Sequence, residues 1–90
     1  MGLGVEPPIV VLYGRDGCDL CDSAREELLA MRPNLPQFEL REVDIEADDS
    51  LHAAYLERIP VIEVDGEPVS ELWLDRHALE RALRARRRIP

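Results

Sequence analysis

The 90-residue chain contains no lysine, so every basic contact it makes must come from its 11 arginines. It has only two cysteines, Cys18 and Cys21, too few for the multiply bridged framework of a small secreted domain. No apolar run approaches the ~20 residues that span a membrane. The first eight residues, Met1 to Pro8, have neither a positive region nor an apolar core, which argues against a secretory signal. Glu6 stands where a myristoylation pattern needs Ser or Thr. No internal repeat or low-complexity segment is present. A protein of a reducing, cytoplasmic compartment is expected, where a closely spaced cysteine pair is more often redox or metal chemistry than a structural bridge.

Charge is short on one side as well. The net charge is −8, which excludes general binding to nucleic acid or anionic membrane. The imbalance is uneven: residues 1–75 hold 5 arginines against 18 acids (net −13), and residues 76–90 hold 6 arginines against one acid (net +5). The run Arg86-Arg87-Arg88 then reads as a solvated helix end. His52 and His77 fall on different expected helices without metal-ligand spacing, so no metal site is expected. A hydrophobic content of 46% suffices for one modest core.

Organisation centres on Cys18-Asp19-Leu20-Cys21. An apolar run, Ile9 to Tyr13, precedes this segment through a turn, Gly14 to Gly17, and an amphipathic stretch from Asp19 to Met31 follows. The order is strand, turn, helix, with the cysteines at the helix start. There, unpaired backbone N–H groups and the positive end of the helix dipole favour thiolate over thiol, and the thiolate is the nucleophile. Cys21 lies about one turn on, on the same face, where it can attack a mixed disulfide formed at Cys18. Asp16, Asp19 and Asp22 oppose thiolate formation, whereas Arg15 supports it.

Residues 1–8 read as an extended tail and 9–90 as a single domain. The continuous apolar run of strand one predicts a central strand buried on both faces. Helix one should bury Leu20, Ala24, Leu28 and Met31, and Pro33 and Pro36 end it. Strand two, Phe38 to about Asp44 or Ile45, changes the phase of its alternation, which predicts a bulge or a twist out of the sheet near Arg41-Glu42. A strand–helix–strand unit of this length makes strands one and two parallel. Asp48, Asp49 or Ser50 caps a short second helix whose buried side is Leu51 and Tyr55, with Leu56 a further candidate. Pro60 opens strand three, Asp65-Gly66 makes a hairpin, and a short edge strand, Pro68 to Ser70, follows. Asp75 caps a last helix to about Arg87 with Leu79, Ala82 and Leu83 inward. Trp73 is expected to cover the core. The order β-α-β-α-β-β-α, a four-stranded mixed sheet with three helices and the cysteine pair after the first strand, is the α/β core of the thioredoxin fold.

At this point the chain resembles a known family. Tyr13 to Cys21 is similar to the glutaredoxin active-site segment: an aromatic strand end, a basic residue, then the cysteine pair. Ile59-Pro60-Val61 is similar to the cis-proline segment of the thioredoxin superfamily. Val43-Asp44-Ile45, Leu51 and Tyr55 add a likeness to small bacterial glutaredoxin-like proteins. The resemblance implies a thiol–disulfide oxidoreductase with Cys18 as nucleophile and Cys21 as resolving thiol. It implies a cis Pro60 beside the disulfide, Ile59 offering backbone N–H and C=O to an extended substrate, and Arg15 for an anionic substrate end. It further implies a monomer with no bound cofactor, glutathione as a possible co-substrate, and disulfide-containing proteins or glutathione mixed disulfides as substrates. A separate reductant, of a class the resemblance does not fix, would restore the dithiol. Two departures stand against a full match. Asp19-Leu20 replaces the usual Pro-Tyr, and Val69 to Asp75 lacks the glycine pair that grips glutathione, with Glu71 adding a negative charge. The alternative is a thioredoxin-fold binding module without turnover, or a dimer bridged by a metal or iron–sulfur centre.

Overall fold

The computed structural model describes residues 6–87. Strands β1 (Ile9–Gly14), β2 (Glu39–Asp44), β3 (Val61–Val64) and β4 (Glu67–Glu71) form one sheet in the order β2-β1-β3-β4. β1 runs parallel to β2 and antiparallel to β3, and β3 and β4 make an antiparallel hairpin. Helices α1 (Asp19–Met31), α2 (Asp49–Tyr55) and α3 (Arg76–Arg87) complete the thioredoxin-like α/β fold. Residues 1–5 of the expected tail and Arg88 lie outside the described residues. Pro8, placed in that tail by its sequence, is buried, and its carbonyl accepts from the Glu39 N–H at 2.9 Å.

Side-chain alternation divides the sheet into two faces. Val10 and Leu12 of β1 stand opposite Val64 and Ile62 of β3, and all four are buried with Ala24 and Leu28 of α1 and Leu79 and Leu83 of α3. This is the main core. Tyr13 and Glu63 share the other face with α2. That helix has only seven residues, so it covers one end of its face. Ile9, Val11 and Tyr13 are therefore half-buried, and the expectation that β1 is buried on both faces is corrected to one full face and one partial face. α3 caps its start as expected, Asp75 Oδ1 accepting from the Ala78 N–H at 3.0 Å. Its arginines reach acids: Arg76 pairs with Glu27, Arg84 with Glu80, and Arg86 with Asp65 and Glu67. The positive C-terminal stretch thereby offsets part of the acidic surface of the rest of the chain.

The bulge expected in strand two is absent. β1 and β2 pair without a slip from Ile9↔Glu39 to Gly14↔Asp44. The phase changes because Leu40 and Val43 stand on opposite faces of a regular strand, beside Val10 and Tyr13 respectively, and Ile45 then leaves the strand for a 3₁₀ turn, Ile45–Ala47, whose first turn Asp44 caps. The irregularity lies instead between β3 and β4, where Val69 has no partner opposite Ile62 and Glu63. Asp65 and Gly66 both take positive φ, 49° and 87°, the backbone that a two-residue hairpin with the sheet's twist requires.

Candidate active site

Cys18 is the N-cap of α1. Its extended backbone (φ −100°, ψ 105°) turns the sulfur back over the first turn, where it accepts from the Cys21 N–H at 3.1 Å. A hydrogen bond of this kind stabilises negative charge on Cys18 Sγ. The two sulfurs are joined in a disulfide, with Cα atoms 5.2 Å apart. The cysteines differ in access: Cys18 is half-buried, whereas Cys21 is 6% exposed. Gly14 explains how Cys21 sits so deep. A Cβ at position 14 would lie 3.0 Å from Cys21 Sγ and 3.1 Å from its Cβ, so β1 ends in the one residue that leaves room.

The second wall is the turn from α2 into β3. The Ile59–Pro60 bond is cis, as the resemblance implied, and Pro60 is fully buried. Ile59 packs with Cys21 and Ile45, and Cys18, Tyr13, Leu51 and Tyr55 close around them. The Ile59 N–H donates to the Tyr55 carbonyl at 3.1 Å. In this structure that N–H, which the resemblance offers to a substrate, is engaged by the C-terminal turn of α2. Leu72, after β4, is tied to the same wall, its N–H reaching the carbonyls of Pro60 (2.9 Å) and Arg58 (3.1 Å). Its φ is 73°, a left-handed backbone that costs a leucine on the order of 1 kcal/mol.

Beneath this wall Glu63, 8% exposed, accepts from Tyr13 Oη and Tyr55 Oη, both at 3.1 Å. The two rings lie 5.0 Å apart between centroids. Burial, then the hydrogen bond to Glu63 and its negative charge, push the Tyr13 phenol up to about 12. The same causes, in the same order, raise Tyr55, against a smaller lowering by Arg58. Unfolded phenols lose their protons near pH 10. The folded state holds them longer, so its advantage is complete below pH 10 and fades as the pH climbs towards about 12. These are the only two tyrosines in the chain. We expect phenolate absorbance of the native protein to titrate above the ordinary phenol range, with Tyr13 last, and Glu63→Gln to bring the titration back towards pH 10. A normal titration of either ring in the wild type would break this account.

Charges ring the opening. Arg15 and Cys21 line a common cleft of about 240 Å³ between α1 and β2, with Asp16, Asp22, Arg25, Glu42 and Asp44. Arg25 pairs with Glu42 at 3.3 Å and Arg15 reaches Glu46 at 4.0 Å. Glu71 is held by Arg58 through Nε (3.0 Å) and Nη2 (2.8 Å), and this pairing raises the Arg58 pKa above its ordinary range. Two apolar assignments are overturned here. Leu20, expected on the buried face of α1, is 56% exposed, and Cys21 takes that inward place. Trp73, expected over the core, is 64% exposed, and Leu74 at 6% fills the position instead. The exposure of Leu20 follows from the frame: a helix that buries Cys21, Ala24 and Leu28 turns Leu20 outward.

Cys18, Cys21, Arg15, Ile59 and Pro60 thus meet at one end of the sheet. Sequence reasoning passed over Gly14, Glu63 and Leu72. The first could have been read as glycine where a backbone is closely approached. The second is an acid inside the apolar run Val61-Ile62-Glu63-Val64, which calls for partners when buried. Leu72 carried no signal, since its backbone is set by contacts across the chain.

A dithiol at the N-cap of the first helix, facing a cis-proline turn on a four-stranded mixed sheet, defines a thioredoxin-fold protein. The chain belongs to the glutaredoxin-like family, DUF836, whose model matches residues 9–84. No curated protein matches it. Among solved structures, protein Ne2328 of Nitrosomonas europaea is 29% identical over 92% of this chain and 99% of its own, with a TM-score of 0.77. A target protein from X. campestris is 33% identical over 84% of this chain and 96% of its own, with a TM-score of 0.59. A mutant thioredoxin from Halobacterium salinarum shares the fold at 19% identity, covering 94% and 79%, with a TM-score of 0.64. No helix among the described residues is long and apolar enough to cross a membrane.

Proposed function

We propose that the chain is a thiol–disulfide oxidoreductase of glutaredoxin-like type. The asymmetry of the two cysteines carries this reading: Cys18 is half-buried at the helix start with an N–H on its sulfur, and Cys21 is buried behind it. In the reduced protein, Cys18 thiolate attacks one sulfur of a substrate disulfide. That S–S bond breaks, and the departing thiolate takes up the proton that Cys18 released. Cys21, once deprotonated, attacks Cys18 Sγ and expels the second substrate thiol. The substrate gains two electrons and two protons, and the protein is left as the Cys18–Cys21 disulfide. An external thiol reductant then restores it. The protein works as a cytoplasmic monomer without a bound cofactor, and glutathione is the reductant to test first.

The deciding assay is reduction of a glutathione mixed disulfide, regenerated by glutathione and its reductase. Robust turnover supports the glutaredoxin form of the reading, with Arg15 replacing the missing glycine-pair grip. Failure there, with reversible Cys18–Cys21 oxidation and reduction of other disulfides, identifies a dithiol reductase served by another donor. A protein inert to every disulfide offered would be a binding module instead.

A further inference from the structure

We infer that the substrates are polypeptides whose disulfide cysteine lies between basic and apolar residues; this rests on the oxidoreductase reading above. The apolar half of the argument is a rim on both sides of the dithiol. Leu20, between the two cysteines, is 56% exposed. On the opposite wall Ile59 packs against Cys21, Pro60 follows it, and Leu72 is hydrogen-bonded to the Pro60 carbonyl. Leu72 is 40% exposed and Trp73 64% exposed. Leu20 lies between the two cysteines and Leu72 is tied to the Pro60 wall, so exposed apolar side chains stand on both sides of the dithiol, with Trp73 next in the chain, and offer an apolar surface to a bound polypeptide. Leu72 is held outward on a left-handed backbone, which the fold tolerates at a cost.

Charge selects what covers it. Two arginines around the site are held, Arg25 by Glu42 and Arg58 by Glu71, and Arg15 lies 4.0 Å from Glu46. Asp16, Asp19 and Asp22 are exposed and make no ion pair among the described residues. An approaching disulfide therefore meets three carboxylates within four residues of Cys18 that no arginine holds in an ion pair. A peptide with arginine or lysine beside its cysteine is drawn in, and one with glutamate is repelled. Glutathione disulfide brings two carboxylates against one ammonium on each half, a net negative charge, and no apolar side chain, so it is the poorer oxidant.

The test uses reduced full-length protein and two amidated peptide disulfides, Leu-Arg-Cys-Arg-Leu and Leu-Glu-Cys-Glu-Leu. Oxidation is followed by the fluorescence of Trp73, the chain's single tryptophan. Each rate is divided by that of 2-mercaptoethanol with the same peptide, which removes the peptides' own reactivity. We expect the arginine peptide to lead by about tenfold at low salt, with the ratio falling towards one at high salt. The double variant Asp16→Asn, Asp22→Asn should lose most of the preference, and Trp73→Ala, read by mass spectrometry, should slow both peptides. Equal normalised rates, with hydroxyethyl disulfide still reduced, overturn this inference alone. Loss of reactivity towards hydroxyethyl disulfide as well would overturn the oxidoreductase reading and this one together.

Discussion

Cys18→Ser is expected to reduce disulfides no faster than buffer, whereas Cys21→Ser stops one step later with substrate still attached. The difference follows from position. Cys18 Sγ is reachable from solvent, and the Cys21 N–H at 3.1 Å stabilises its thiolate. A serine hydroxyl there stays protonated at neutral pH and is a poor nucleophile without a base beside it. Cys21 lies 6% exposed against Gly14 and Ile59, out of reach of an incoming protein disulfide but bonded to Cys18 in the oxidised form. In Cys21→Ser the first exchange proceeds and the mixed disulfide persists until an external thiol cleaves it. Intact-mass measurement after brief exposure to hydroxyethyl disulfide should find one mercaptoethanol adduct on Cys21→Ser and none on Cys18→Ser. The opposite pattern would exchange the roles of the two cysteines.

Leu28→Ala is expected to cost about 3 kcal/mol, a large part of the 5–15 kcal/mol that holds a domain of this kind together. Leu28 is 0% exposed, in the cluster that joins α1 to β1, β3 and α3. Truncation removes its burial and leaves a cavity that the sheet beneath cannot close, because neighbours on both strands are themselves fully buried. The effect matters for the site, since α1 carries both cysteines. Leu29 is the control: it is the next residue, 42% exposed, and Leu29→Ala should cost a few tenths of a kcal/mol at most. Urea unfolding of the reduced proteins checks both, reading the midpoint at unchanged slope. Comparable losses at the two positions would mean that α1 is not seated as described.

Much of this protein was legible in its sequence because the signals were local. The two-residue spacing of Cys18 and Cys21 at a helix start, the positive-φ pair Asp65-Gly66, and the caps at Asp48 and Asp75 each depend on a few neighbouring residues. The apolar run of β1 and the length of the strand–helix–strand unit fixed the parallel pairing of β1 with β2. Periodicity then identified Ala24, Leu28, Leu79 and Leu83 as core.

Other features were decided only when distant segments met. Which face of α1 is buried depended on the helix folding back against the end of β1, where Gly14 makes room for Cys21. Leu20 and Trp73 look like core residues by composition, and their exposure is set by where the helix and the loop after β4 come to lie. The phase change between Leu40 and Val43 suited a bulge or a twist out of the sheet, and unbroken pairing with β1 instead leaves the two residues on opposite faces of a regular strand. The acid at position 63 acquired its meaning from two phenols, one on β1 and one on α2. Local chemistry can be read along one chain, but burial is a property of surfaces brought together, and it is burial that separates Cys18 from Cys21.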